Sequence, residues 1–208
     1  MRELKQFGVI PIAYDTLVHF YAHYKSPKDK IADLVKDGAL IRLKRGLYVV
    51  ATSISEQKLS KELVANHLYG LSYVSLETAL SYYGMIPERV HLTRSITTKR
   101  AKQFSTPIGS FDFLTMPESW FSIGLRFEQV GESYAWLMAS PEKAVCDMIL
   151  ASHSVRLQSV KAISEFLTKD LRIDFSAVKP FDKKIISQCL KVGRKKNELM
   201  HLLKYLSS

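Results

Sequence analysis

At 208 residues with 47% apolar composition, the chain is long enough for one large domain or two small ones with substantial cores. A formal net charge of +10 points to a polyanionic partner. There is no long apolar run and no basic amphipathic segment suited to a membrane surface, so nucleic acid is favoured over lipid and no membrane association is expected.

The opening stretch, MRELKQFGVIPIAY, lacks an apolar signal region followed by a small-residue cleavage site, so a cytoplasmic location is expected. Residues 1–7 read as a short helix ended by Gly8 and Pro11. Over residues 12–24, Leu17, Phe20, Tyr21 and Tyr24 recur at helical spacing and predict an amphipathic helix. His19 and His23 lie one turn apart there, but no cysteine or carboxylate cluster joins them, and no metal site is assigned.

Residues 26–50 predict a helix followed at once by a hairpin. Ser26 is an N-cap candidate, Pro27 suits the first helical position, and Ile31, Leu34 and Val35 form one apolar stripe. Gly38 stands where a left-handed C-terminal cap belongs. Ile41 and Leu43 then alternate with Arg42 and Lys44, Arg45-Gly46 turns the chain, and residues 47–50 return. A helix feeding a hairpin with a basic tip is the order of a winged helix-turn-helix, which sets a helix in a major groove and cations on nearby phosphates. The competing reading is a common helix–hairpin unit with a solvated charged face.

Residues 52–58 are polar and aperiodic and read as a linker; 59–71 read as a helix. Ser75 is the predicted cap of a helix that turns Leu76, Ala79, Leu80 and Tyr83 inward and closes at Gly84, with Glu77 as a first-turn dipole partner. Residues 90–136 are rich in β-branched and aromatic side chains and predict three to five strands in a small antiparallel or mixed sheet. Lys99, Arg100 and Lys102 lie in the stretch joining the first two strands: either a solvated hairpin loop or a contact for phosphate or an acidic partner. From Ser140 a helix is strongly signalled, with Pro141 first, Glu142 on the dipole, and Val145, Met148 and Ile149 facing a core. Lys143 and Asp147 stand one turn apart in the order weaker for pairing. After Ser154 the remainder reads as helices over 157–171, 182–192 and 194–206, the last two dense in lysine and arginine. Cys146 and Cys189, each among apolar neighbours, read as two buried free thiols.

No nucleophile elbow, phosphate-binding glycine loop, HExxH or paired CxxC occurs, so no catalytic residue, metal ligand or cofactor is assigned. Asp112 and Glu128, both on predicted strands, are the best candidates for a nuclease metal pair. The position two beyond the second acid is Val130, where such a site generally wants a lysine or a further carboxylate.

The stretches LVKDGALIRLKRGLYVV, YVSLETALSYYGMIPE, Thr93-Arg94, IGSFDF and SPEKAVCDMIL occur in that order over residues 28–150. Together they resemble the AbiEi-type antitoxins, the regulatory halves of bacterial abortive-infection (type IV) toxin–antitoxin pairs. The resemblance implies an N-terminal winged helix that binds inverted repeats in its own promoter, and a C-terminal α/β domain that counteracts a nucleotidyltransferase-like toxin without requiring a stable complex. It implies no enzymatic activity in either half.

The expected architecture is therefore α+β: a winged helix over 1–52 and, over 59–208, a mixed α/β domain with a small sheet and C-terminal helices. The outward face of the 26–37 helix carries Asp29 and Asp33, which repel phosphate unless each accepts a hydrogen bond, for example from cytosine's amine. The expected DNA contacts are accordingly Lys25, Ser26, Lys28, Lys30 and Lys36 on the helix and Arg42, Lys44 and Arg45 on the wing, the wing foremost. Lys99, Arg100, Lys102, Lys183, Lys184, Arg194, Lys195 and Lys196 are candidate partner contacts from charge alone. The alternatives are a winged-helix-targeted nuclease or nucleotide-modifying enzyme, and a non-catalytic protein-interaction module.

Overall fold

The computed structural model describes residues 2–131, 133–152 and 156–207, Arg2 through its backbone only. Met1, in the first predicted helix, and Ser154, where the C-terminal helical run was expected to begin, lie outside the described residues.

Arg2–Phe7 form a 3₁₀ turn ended by Gly8 at φ +53°. The chain continues through β1 (Ile12–Ala13), α1 (Tyr14–Phe20), α2 (Pro27–Lys36), β2 (Leu40–Lys44) and β3 (Leu47–Val50). The helix expected over 12–24 is thus shorter at both ends. Its first two residues pair with Tyr48 and Leu47 of β3, and the amide of Tyr14 donates to the carbonyl of Gly46. Long-range pairing overrides the local helical period.

Pro27 opens α2, but the Ser26 hydroxyl makes no capping bond; its carbonyl accepts from Lys30 N instead. Gly38, at φ +71°, ends the helix, with Gly38 N donating to Val35 O and Ala39 N to Leu34 O, the paired bonds of a Schellman cap. Gly46, at φ +82°, makes the hairpin turn, and the β2–β3 register shifts between Arg42 and Lys44.

The hairpin is buried on both faces. Leu40, Tyr48 and Val50 join Leu4, Leu17, Tyr21, Ile31 and Leu34 in one apolar cluster. Leu43, Leu47 and Val49 join Leu63, Leu68 and the rest of the chain in another. The all-apolar LYVV of β3 follows from this, since alternate residues serve opposite cores. Each such side chain stabilises the arrangement by about 1.5–3 kcal/mol, so the hairpin is anchored rather than projecting freely.

The expected linker is ordered. Within it α3 (Thr52–Ser55) packs against the 3₁₀ turn, and Lys5 pairs with Glu56 at 2.5 Å. Next come α4 (Lys61–Leu68), β4 (Ser72–Val74), α5 (Leu76–Tyr82), β5 (Leu92–Thr97), β6 (Lys102–Thr106), β7 (Gly109–Thr115), α6 (Glu118–Phe121), β8 (Leu125–Val130) and β9 (Tyr134–Ala139). Six strands form one sheet in the order β6-β7-β5-β4-β9-β8, parallel at β4–β9 and β5–β7 and antiparallel elsewhere. The stretch TTKRAKQFSTP, expected to join the first two strands of this region, therefore contains an edge strand, β6.

The chain ends in α7 (Pro141–Ala151), α8 (Val160–Glu165) widening into a π turn (Phe166–Asp170), α9 (Phe175–Val178), α10 (Lys183–Val192) and α11 (Lys196–Tyr205). The architecture is mixed α+β with C-terminal helices. Among the described residues no helix is long and apolar enough to cross a membrane.

One polar cluster fixes the interior. Lys143 and Asp147 of α7 are fully buried and pair at 3.1 Å. Asp147 accepts from Trp120 Nε1 at 2.5 Å, Ser75 Oγ at 2.6 Å and Tyr73 Oη at 3.4 Å. Lys143 Nζ donates to the Trp120 carbonyl at 3.0 Å and lies 3.6 Å over its ring. Ser75, expected as a helix cap, thus directs its hydroxyl into this cluster, and the following Leu76 takes a left-handed φ of +57°. Burial and the Asp147 carboxylate beside it push the Tyr73 hydroxyl well above the usual phenol range. Cys146 and Cys189 are free and buried. A hydrogen bond between them, with burial, raises the Cys146 thiol.

Candidate nucleic-acid interface

The outward face of α2 forms because its apolar stripe is taken up by the smaller core: Ile31 and Leu34 are buried, whereas Lys28, Asp29, Ala32, Asp33 and Lys36 are exposed. Lys25 is exposed just before the helix, Ser26 and Lys30 are half-buried, and the Lys30 ammonium lies 5.1 Å over the Tyr24 ring. On the hairpin, Arg42 and Arg45 are exposed with no ion-pair partner among the described residues. These two guanidiniums and the lysines at the start of α2 are free to neutralise phosphates.

Lys44 differs. Its ammonium donates to the carbonyl of Leu68 at 2.6 Å, which places it in the contact between hairpin and α4. Burial lowers its pKa first, and the nearby charges of Lys102 and Lys99 lower it further. The alternation that makes Lys44 look like a free wing cation takes no account of the second core pressed on the hairpin.

The structure also joins two basic stretches that are far apart in sequence. β6 lies beside β2, Lys99, Arg100 and Lys102 are exposed, and Lys99 and Lys102 stand close to Lys44. The Lys99 and Lys102 ammoniums lie 5.5 and 5.9 Å over the Tyr69 ring, and those of Lys102 and Lys44 lie 4.9 and 5.9 Å over Phe104. The Tyr69 hydroxyl donates to the Arg100 carbonyl at 3.1 Å and holds the turn. Sequence spacing carries no signal for this juxtaposition.

The C-terminal candidates Lys183 and Lys184 sit on α10, Lys196 opens α11, and Arg194 and Lys195 lie in the link between these helices, which pack on α6, α7 and α8. Lys183 donates to Ser207 Oγ, and Lys184, Arg194 and Lys196 are exposed. Lys195 has a structural partner set, donating to the carbonyls of Ile149 and Ser152.

Elsewhere, a cleft of about 630 Å³ is lined in part by Glu77, Glu88, His91, Arg94, Asp112 and Asp170. Arg94 Nη1 donates to both oxygens of Glu77 at 2.9 and 2.8 Å, and its Nε lies 3.4 Å from Asp112. Glu77 is therefore an ion-pair partner more than a helix-dipole group. Glu128, on β8, accepts from Tyr83 and Tyr82 at the end of α5. β7 and β8 are four strand spacings apart, roughly 19 Å, too far for Asp112 and Glu128 to share a metal ion. Among the described residues no group of three or more His, Cys, Asp or Glu side chains is disposed to hold a metal.

No protein-family model matches the chain, and no curated protein sequence matches it.

Proposed function

We propose that residues 1–52 form a winged helix-turn-helix that binds duplex DNA. On this reading the chain is an autorepressing antitoxin of the AbiEi type, whose 59–208 part counteracts a nucleotidyltransferase-like toxin. The observation that carries the DNA-binding half is the arrangement of the N-terminal unit. A 3₁₀ turn, β1, α1, α2 and the β2–β3 hairpin follow in that order, with strands arranged β1-β3-β2. α2 keeps one face exposed, and Arg42 and Arg45 are exposed on the hairpin. A winged helix uses such a helix in the major groove and such a hairpin on the flanking backbone.

The antitoxin half rests on the resemblance of the later motifs. Their charged residues are engaged inside the fold, as the Glu77–Arg94 pair and the buried Lys143–Asp147 pair. They support a folded scaffold and assign no catalytic group. Operator inverted repeats and a toxin that need not bind stably are the partners this reading implies.

Arg45→Ala tests the interface. It should weaken binding on every duplex and reduce the steepness of the salt dependence by about one phosphate contact, a slope change of about 0.9. An unchanged slope would remove Arg45 from the phosphate contacts.

A further inference from the structure

We infer that Lys99, Arg100 and Lys102 continue the wing, so that one DNA duplex is held by the hairpin and by the edge of the six-stranded sheet together. This rests on the DNA-binding reading above and extends it to a surface outside residues 1–52.

The geometry is the reason. Lys44 is taken up by the Leu68 carbonyl, which leaves the hairpin with Arg42 and Arg45 as its exposed cations. Near Lys44, the turn before β6 and the first residue of that strand supply the exposed Lys99 and Lys102, with the exposed Arg100 between them in the chain. None of the three has a carboxylate partner among the described residues. They are also positioned: the Tyr69 hydroxyl fixes the turn through the Arg100 carbonyl, and the Tyr69 and Phe104 rings sit under the lysine ammoniums.

The plainer explanation is that lysines on an edge strand prevent edge-to-edge pairing. That accounts for Lys102, but Lys99 and Arg100 precede the strand. Like charges gathered without acids repel one another, and a row of phosphates relieves that repulsion. Because the ammoniums cover the aromatic faces, the surface suits a phosphate backbone better than bases stacking from a single strand. The contact would be independent of sequence and would add affinity, not specificity.

The test compares the wild-type 208-residue chain, the patch variant Lys99→Ala/Arg100→Ala/Lys102→Ala and the wing variant Arg42→Ala/Arg45→Ala. Binding to a fluorescent duplex of about 30 base pairs and to a single strand of the same length is followed by anisotropy across a salt series. The inference predicts that the patch variant binds the duplex about tenfold or more weakly near 0.1 M salt, with a slope shallower by roughly 2–3 and an unchanged preference between duplex sequences. Circular dichroism should show it folded, since all three side chains are exposed; Lys99→Gln/Lys102→Gln should give a smaller loss in the same direction. If the wing variant is weakened while the patch variant binds the duplex like wild type, the extension is wrong and the winged-helix reading stands. Loss confined to the single strand would also overturn the extension. If wild type binds no duplex at any salt, both fall.

Discussion

The Lys44 ammonium, at the hairpin turn, donates a 2.6 Å hydrogen bond to the carbonyl of Leu68, the last residue of α4. A helix C-terminus carries unsatisfied carbonyls and partial negative charge, so a cation is well placed there. The bond ties the hairpin to the rest of the chain beside the packing of Leu43, Leu47 and Val49.

Lys44→Met should therefore reduce folding stability by about 1–2 kcal/mol, since the carbonyl loses a charged donor while most of the packing is kept. Denaturant unfolding reads this directly. The salt slope of DNA binding should stay that of wild type; a slope shallower by a full contact would return Lys44 to the phosphate-binding set.

Asp29 and Asp33 are exposed on α2. If neither accepts a hydrogen bond from a base, each only repels phosphate. Asp33→Asn should then raise affinity for a scrambled duplex a few-fold, with anisotropy as the readout. Weaker binding restricted to the native upstream duplex would instead mark Asp33 as a base-reading acceptor.

The buried Lys143–Asp147 pair makes a sharper stability prediction. Removing one partner leaves the other buried and uncompensated, so Lys143→Met or Asp147→Asn should each cost about 3–5 kcal/mol. In Lys143→Met/Asp147→Asn the loss should be clearly less than the sum of the single losses. Thermal and denaturant unfolding of the four proteins close the cycle, and simple additivity would contradict the coupling.

Much of the fold was legible where a local signal sufficed. Ser140 and Pro141 mark the start of α7, and Gly38 and Gly46 mark the cap and turn that frame β2. The misses have one cause, a partner distant in sequence. Two residues of β1 carry no period, and their pairing lies on β3. Lys143 and Asp147 look like a weak surface pair until Trp120, Ser75 and Tyr73 close around them. Of the candidate site, Arg42, Arg45, Lys28 and Lys36 are exposed, as their periodicity suggests, and Lys30 is half-buried. The fixing of Lys44 and its closeness to Lys102 depend on how the hairpin docks.

Tyr21 gives the pH prediction. It is buried in the smaller core, and burial first, with the Glu3 and Tyr24 charges next, pushes its hydroxyl from the ordinary 10.0 up to about 12. The folded state thus holds the proton more tightly than the unfolded chain. The stability from this group is complete below pH 10 and is lost as pH rises towards about 12. Alkaline unfolding followed by circular dichroism should show that loss, and Tyr21→Phe should flatten it. An equally steep decline in the variant would assign the effect to other tyrosines.

Under the proposed function the N-terminal unit reads an operator. Fluorescence anisotropy of the 208-residue chain with the DNA upstream of its own gene, against a scrambled duplex and across a salt series, tests this. Tighter binding to the native duplex together with a steep salt slope is the predicted result. Equal, weak binding to both duplexes would contradict it, leaving only a generic basic surface.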